Sequence, residues 1–142
     1  MQEHQIPAPT DAELEILQVL WGRGGEPVRY VNETINGRRA PEQQVGYTTT
    51  LKQMQVMLDK GLLARDIVDR NHLYRAVQSR ETVQSQVVRE IADLAFDGSA
   101  SSLVLRALGS GQTTPEELQE IKAFIRQMEA RQKGMMNDEF SH

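Results

Sequence analysis

Apolar residues recur at helical spacing along most of this 142-residue chain, and the period changes from about 3.6 to 2 once, between positions 62 and 77. From 11 to 21, Leu14, Ile16, Leu17, Leu20 and Trp21 make a wide helical stripe. Thr10-Asp11-Ala12-Glu13 in front of it reads as a capping box, in which the threonine hydroxyl accepts an amide and the glutamate reaches back. Gly22, Gly24 and Gly25 stop this helix, and Pro27-Val28 forms a short extended link. A second helix is predicted over 29–36, with Tyr30, Val31, Thr34 and Ile35, and Asn36-Gly37 closes it into a polar turn at 37–44. The third helix runs from Gly46 to Lys60, with Thr50, Met54, Met57 and Leu58 inward and Gly61 just past its end. Positions 62–68 and 73–77 then alternate as strands, with a turn at Asp69-Arg70-Asn71-His72 between them. Three helices followed by a hairpin is the order of a winged helix-turn-helix.

The remainder is helical. Ser79 caps a helix to about Phe96, with Val83, Val87, Ile91 and Leu94 on one face, and Asp97-Gly98 ends it. Ser99 caps a short helix through Leu108, and Gly109-Ser110-Gly111 breaks the chain. Thr114-Pro115-Glu116-Glu117 starts the last helix with a cap, a proline at its first position and a glutamate at its third. Leu118, Ile121, Ile125 and Met128, with Phe124 beside them, then follow as a coiled-coil-like seam, and 133–142 is expected to be a disordered tail. The expected fold is mainly α, α with a small β wing: a winged-helix domain over 1–78 and a helical dimerisation domain over 79–132. About fifty residues cannot cover their own apolar stripes. A second copy of the chain is therefore expected on Val87, Ile91, Leu118, Ile121, Phe124, Ile125 and Met128, a homodimer. Folding of these helices back onto the first domain is the alternative.

Charge changes this picture by region. The net charge of -4 weighs against a nucleic-acid partner, yet 29–78 carries a surplus of +3 between acidic flanks. The outward face of the third helix presents Thr48, Thr49, Lys52, Gln55 and Val56. Its first-turn amides, with Tyr47, favour phosphate, so this helix suits a major groove. Arg70 and His72 fall at the expected wing tip. Double-stranded DNA is the partner this pattern points to; docking of another protein is the alternative. The absence of cysteine excludes disulfides, thiolate metal sites and cysteine nucleophiles. His4, His72 and His142 are far apart, so no metal or other cofactor is expected. Glu13 and Glu15 have no His or Lys partner in view, Glu116-Glu117 reads as capping, and neither glycine cluster has a dinucleotide or Walker pattern, so no enzyme is expected. Residues 1–10 lack a signal peptide's pattern and no apolar run spans a bilayer, so a cytoplasmic protein without membrane insertion is expected.

Three strings carry a resemblance: Thr10 to Trp21 (TDAELEILQVLW), Val45 to Leu51 (VGYTTTL) closing on Asp59-Lys60-Gly61-Leu62, and Phe96 to Leu105 (FDGSASSLVL). In this order, spanning about 10–132, they resemble the BlaI/MecI family of penicillinase-type repressors. The resemblance implies a homodimeric winged-helix repressor on an inverted-repeat operator. It implies that Tyr47, Thr48, Thr49 and Lys52 line the DNA face, that 69–72 is the wing and that 79–132 makes the dimer. It also implies induction by proteolysis in the dimerisation domain, through a membrane-sensor metalloprotease or a pathway it triggers. The bond that aligns with the cut is Arg106-Ala107. This chain departs from relatives there, where they have Asn-Phe, and at Val56, where they often have Arg. It also lacks the C-terminal cysteine pairs of copper-responsive relatives.

Overall fold

The change of apolar period after position 61 marks the sheet of the fold. Strands Leu63–Val68 (β1) and Asn71–Ala76 (β2) pair antiparallel, in register from Leu63↔Ala76 to Val68↔Asn71. Before them come α1 (Asp11–Leu20), α2 (Val28–Gly37), a 3₁₀ turn at Pro41–Gln43 and α3 (Tyr47–Lys60); after them come α4 (Arg80–Ala95), α5 (Ala100–Gly109) and α6 (Pro115–Phe140). This computed structural model describes residues 8–140, with side chains to 135, so His4, His142 and the end of the tail lie outside the described residues. The fold is mainly α with a small β wing. Two compact units divide within α4, Met1–Glu90 and Ile91–His142.

In the first unit, the capping box at the start of α1 forms as its spacing predicts. The Glu13 amide donates to Thr10 Oγ1 at 3.2 Å and the Thr10 amide donates to Glu13 Oε1 at 2.9 Å. Glu13 does more than cap: it is buried, and Lys60 Nζ, at the last residue of α3, donates to its other oxygen at 2.8 Å. Glu15 likewise meets Arg39, at 2.6 and 3.2 Å. The expectation of no His or Lys partner is thus corrected at Glu13, while Glu15 is met by an arginine; both partners arrive from distant parts of the chain. Apolar residues at the predicted spacing fill the space between the helices, chiefly Leu17, Leu20, Val31, Ile35, Met54 and Met57, closed by Leu63 and Tyr74 of the hairpin. The link after α1 is tied to that hairpin. Glu26 and Tyr74 exchange both backbone hydrogen bonds, at 2.9 and 2.8 Å, adding a third short strand-like stretch at the edge of β2. Gly25, at φ +138° with Leu73 Cβ 3.4 Å from where its own Cβ would stand, lets the backbone come this close.

The hairpin turn is tighter than predicted. Its two connecting residues are Asp69 and Arg70, at φ 49° and 68°, and Asn71 and His72 already belong to β2. A two-residue connection with both φ values positive follows the twist of the strands, whereas a four-residue turn leaves two register pairs unmade. α4 also departs from the reading. Val83 is buried in the core of the first unit and Val87 packs against it, so the helix begins as part of the winged-helix unit. The last helix, expected to end near 132, continues to Phe140. One glycine, Gly134, weakens a helix by about 1 kcal/mol without breaking it.

The second unit is made of the end of α4, α5 and α6. Ser99 Oγ accepts from the Ser102 amide at 3.1 Å, and Thr114 with Glu117 repeats the capping box, both bonds at 3.1 Å. Over 91–135 the one buried side chain is Ala92, while Leu94 is 86% exposed and Leu105 69%. No helix among the described residues is long and apolar enough to cross a membrane.

Burial pushes the Glu13 carboxyl up, but its hydrogen bonds with Lys60 and the Thr10 amide outweigh this and hold it below its ordinary value of 4.5. A carboxyl held low stabilises the fold above its unfolded value and ceases to do so as pH falls through the depressed one. Denaturant unfolding between pH 7 and pH 3 is therefore expected to show stability falling below about pH 5, with Glu13 contributing to the slope. Glu13→Gln is expected to lose about 1–3 kcal/mol at pH 7 and to flatten that slope. Identical slopes in the two proteins would show that Glu13 is not a linked group.

Candidate nucleic-acid interface

Asn32 and Asn36 lie four residues apart, on one face of α2. Both side-chain amides donate to the Val45 carbonyl at 2.9 Å, and Asn36 Oδ1 accepts the Val45 amide at 2.8 Å. Asn32 Nδ2 also reaches Thr50 Oγ1, in the first turn of α3, at 2.8 Å. Gln44 Nε2 closes the loop by donating to the Asn36 carbonyl at 2.9 Å. These bonds fix the turn between α2 and α3, and with it the direction in which α3 leaves. Asn36-Gly37 reads in sequence only as a helix stop; nothing in the pattern marks its side chain as a clamp.

α3 itself begins at Gly46, an extended N-cap with no side-chain hydrogen bond. The amides of Tyr47, Thr48 and Thr49 therefore meet no capping side chain, and a 14-residue helix adds its dipole to them. Thr50, Met54 and Met57 face the core, which turns Thr48, Thr49, Lys52, Gln55 and Val56 outward. Clefts lie on both flanks of this ridge. On one side Tyr47 and Gln55 face Arg65, Arg70 and His72 of the hairpin across a cleft of about 360 Å³. On the other, Thr48, Thr49, Lys52 and Val56 line a groove shared with Thr10, Glu13 and Lys60.

Four of the residues singled out from sequence, Tyr47, Gln55, Arg70 and His72, thus come together, and the other three, Thr48, Thr49 and Lys52, share the opposite flank. His72 is an exposed strand residue opposite Ile67 and not part of the turn. Arg65 was not singled out. The register pairs it with Tyr74, on the face of the hairpin that looks to the core and α3. Period-two alternation from the buried Leu63 is the signal that would have found it. Arg70 is held at φ 68°, a region where a side chain other than glycine is strained by about 1 kcal/mol.

Electrostatics separates these cations from their neighbours. Arg29, Arg39, Lys60 and Arg75 each meet a carboxylate, on Glu33, Glu15, Glu13 and Asp66. Lys52, Arg65 and Arg70 have no carboxylate partner among the described residues. From α3 through the hairpin, 47–76, five basic residues stand against three acids, so +2 of the regional +3 falls on these elements. Among the described residues no group of three or more His, Asp or Glu side chains is placed to hold a metal ion.

In the second unit, Leu118, Phe124, Ile125 and Met128 are exposed along α6 and Ile121 is partly covered; Ile91 is exposed on α4. Val87, placed in the same set from sequence, packs instead on the core of the first unit. Arg106 and Ala107 lie inside α5, exposed, and the Ala107 carbonyl accepts from the Ser110 hydroxyl at 2.7 Å.

A model of the penicillinase repressor family matches residues 9–127. Comparison with the curated proteins finds no match.

The asparagine clamp is open to a direct check. Asn36→Ala removes three part-buried hydrogen bonds and is expected to lower stability by about 1–3 kcal/mol, whereas Arg38→Ala, on the exposed side, should stay within about 0.5 kcal/mol. Thermal unfolding of the full chain reads the difference, and equal melting temperatures would mean that the clamp does not hold the turn.

Proposed function

The chain belongs to the penicillinase repressor family, and from that premise we propose that it works as a homodimer on an inverted-repeat operator, with α3 in the major groove and the hairpin as a wing. That it is a transcriptional repressor with a winged-helix DNA-binding fold follows from the family and the element order together. The observation that carries the operator reading is the unpaired state of Lys52, Arg65 and Arg70 beside an uncapped helix start, in a unit whose other cations largely meet acids. Lys52, central on the outward face, reads base edges or phosphate, with Thr48, Thr49 and Gln55 beside it. The Tyr47 region binds phosphate through amides, and Arg65, Arg70 and His72 contact the backbone beyond it. Phosphate contacts position the unit and the outward face of α3 gives the sequence.

Dimerisation rests on the second unit. Three helices with one buried side chain do not hold themselves together, and a second copy laid along Leu118, Ile121, Phe124, Ile125 and Met128 supplies the missing core. Two heads held together make the second half-site contact effectively intramolecular. Induction, in this reading, cuts the chain in α5, and a membrane-sensor metalloprotease is the partner that the resemblance supplies. A bond within a helix, such as Arg106-Ala107, is cut only after that turn unwinds. A cut there severs α6 from the DNA-binding unit and undoes the tether.

Selection of bound sequences from random duplex DNA tests the whole reading and should return a dyad. Lys52→Glu is expected to lower affinity for that dyad at least a hundredfold with the dimer intact, and log K should fall with log salt by about 0.9 per phosphate neutralised. Unchanged affinity would remove α3 as the reader. Ile125→Asp is expected to give a monomer in sedimentation and to lose about 10²- to 10⁴-fold in operator affinity, without touching a DNA residue. A stable dimer in that variant would count against the α6 seam.

A further inference from the structure

Val56 is the one exposed aliphatic side chain of α3, 41% accessible. It stands one turn beyond Lys52 on the same side of the helix, in the groove that Thr48 and Thr49 also line. Its isopropyl group neither donates nor accepts a hydrogen bond. Seated in a major groove it covers whatever the base pair beneath it presents. Amino, carbonyl and ring-nitrogen groups lose water there and gain no partner, which is unfavourable. The 5-methyl of thymine is the one apolar group that the four bases show in that groove.

We propose that Val56 is a specificity-determining residue that selects a thymine in each half-site by covering its 5-methyl group. Four residues of helix rise about 6 Å, against 3.4 Å per base pair, so this thymine lies about two base pairs from the pair that Lys52 faces. The proposal rests on the operator reading above and assigns a chemistry to one position within it.

Deoxyuridine tests it, because it pairs as thymidine does and lacks only the methyl. The full-length chain is used to enrich sequences from random duplex DNA. Affinity is then measured for the recovered dyad with each thymine replaced singly by deoxyuridine. One thymine per half-site is expected to show a loss of about fourfold, and about fifteenfold when both half-sites carry the change, the effect of uncovering one apolar carbon at each. Val56→Ala sits at an exposed position and favours helix, so it should fold as the wild type does, which melting confirms. In that variant the sensitive position is expected to respond by less than about 1.5-fold while other thymines keep their wild-type profile. A wild-type dyad with no methyl-sensitive thymine, or a profile unchanged by Val56→Ala, overturns this proposal and leaves the operator reading standing. Recovery of no sequence overturns both.

Discussion

A buried carboxylate ties the two ends of the winged-helix unit together. Glu13 caps the start of α1 and, with its second oxygen, receives Lys60 from the end of α3. Burial pushes its pKa up; its donors more than offset this and hold it low. A buried charge that needs both partners in place defines one position for the C-terminal end of α3, since any other leaves that charge unpaired. Asn32 and Asn36 do the same for the N-terminal end through Val45 and Thr50. The apolar core between them, with Met54 and Met57 as adaptable fillers, accommodates small changes of angle. It is the polar contacts at each end that turn a packed helix into a helix with a defined direction.

The second unit is constrained by what it lacks. The first unit builds a buried apolar core within its own three helices and hairpin, down to Val83 of α4. Beyond Glu90, among the described side chains, Ala92 alone is buried and most large apolar residues stay exposed, Phe124 at 58% among them. Each helix there is well started, by Ser99 or by Thr114 with Glu117, so local structure is secured before any packing is. That division suits a repressor whose two parts do different work. In the proposed reading the first unit brings its own core to DNA, and the second, completed by another copy of the chain, makes assembly a matter of concentration.

Much of this was legible in the sequence because it is local. Capping boxes act over three residues, glycine stops over one, and the apolar period over two turns, so Thr10, Thr114, Gly61 and the core face of α3 were all read correctly. What was missed is long-range or depends on register. Lys60 is 47 residues from Glu13, and no spacing rule links them. The clamp by Asn36 looked like a turn signal because asparagine before glycine is one. The hairpin was placed two residues too long because Asp69 to His72 are all polar and composition alone does not choose between a two- and a four-residue turn. The two-residue turn puts His72 in a strand. Val87 was given to the dimer because a helical stripe reveals a buried face without saying which neighbour buries it.

The net charge of -4 acquires a different meaning once partners are assigned. Glu13 and Glu15 on α1 and Glu33 on α2 are occupied with Lys60, Arg39 and Arg29. Three cations on α3 and the wing are not so occupied, which is a small number for a protein that finds its site among a genome of competitors. Non-specific affinity scales with phosphates neutralised, so a DNA face with three such cations gains little of it. In the proposed reading, discrimination falls to contacts that carry sequence and to the pairing of two heads. Strain retained at Arg70 and an apolar side chain left exposed at Val56 are both unfavourable in the free protein. Both lie on the surface that the proposed reading turns to DNA, where each has a contact to gain.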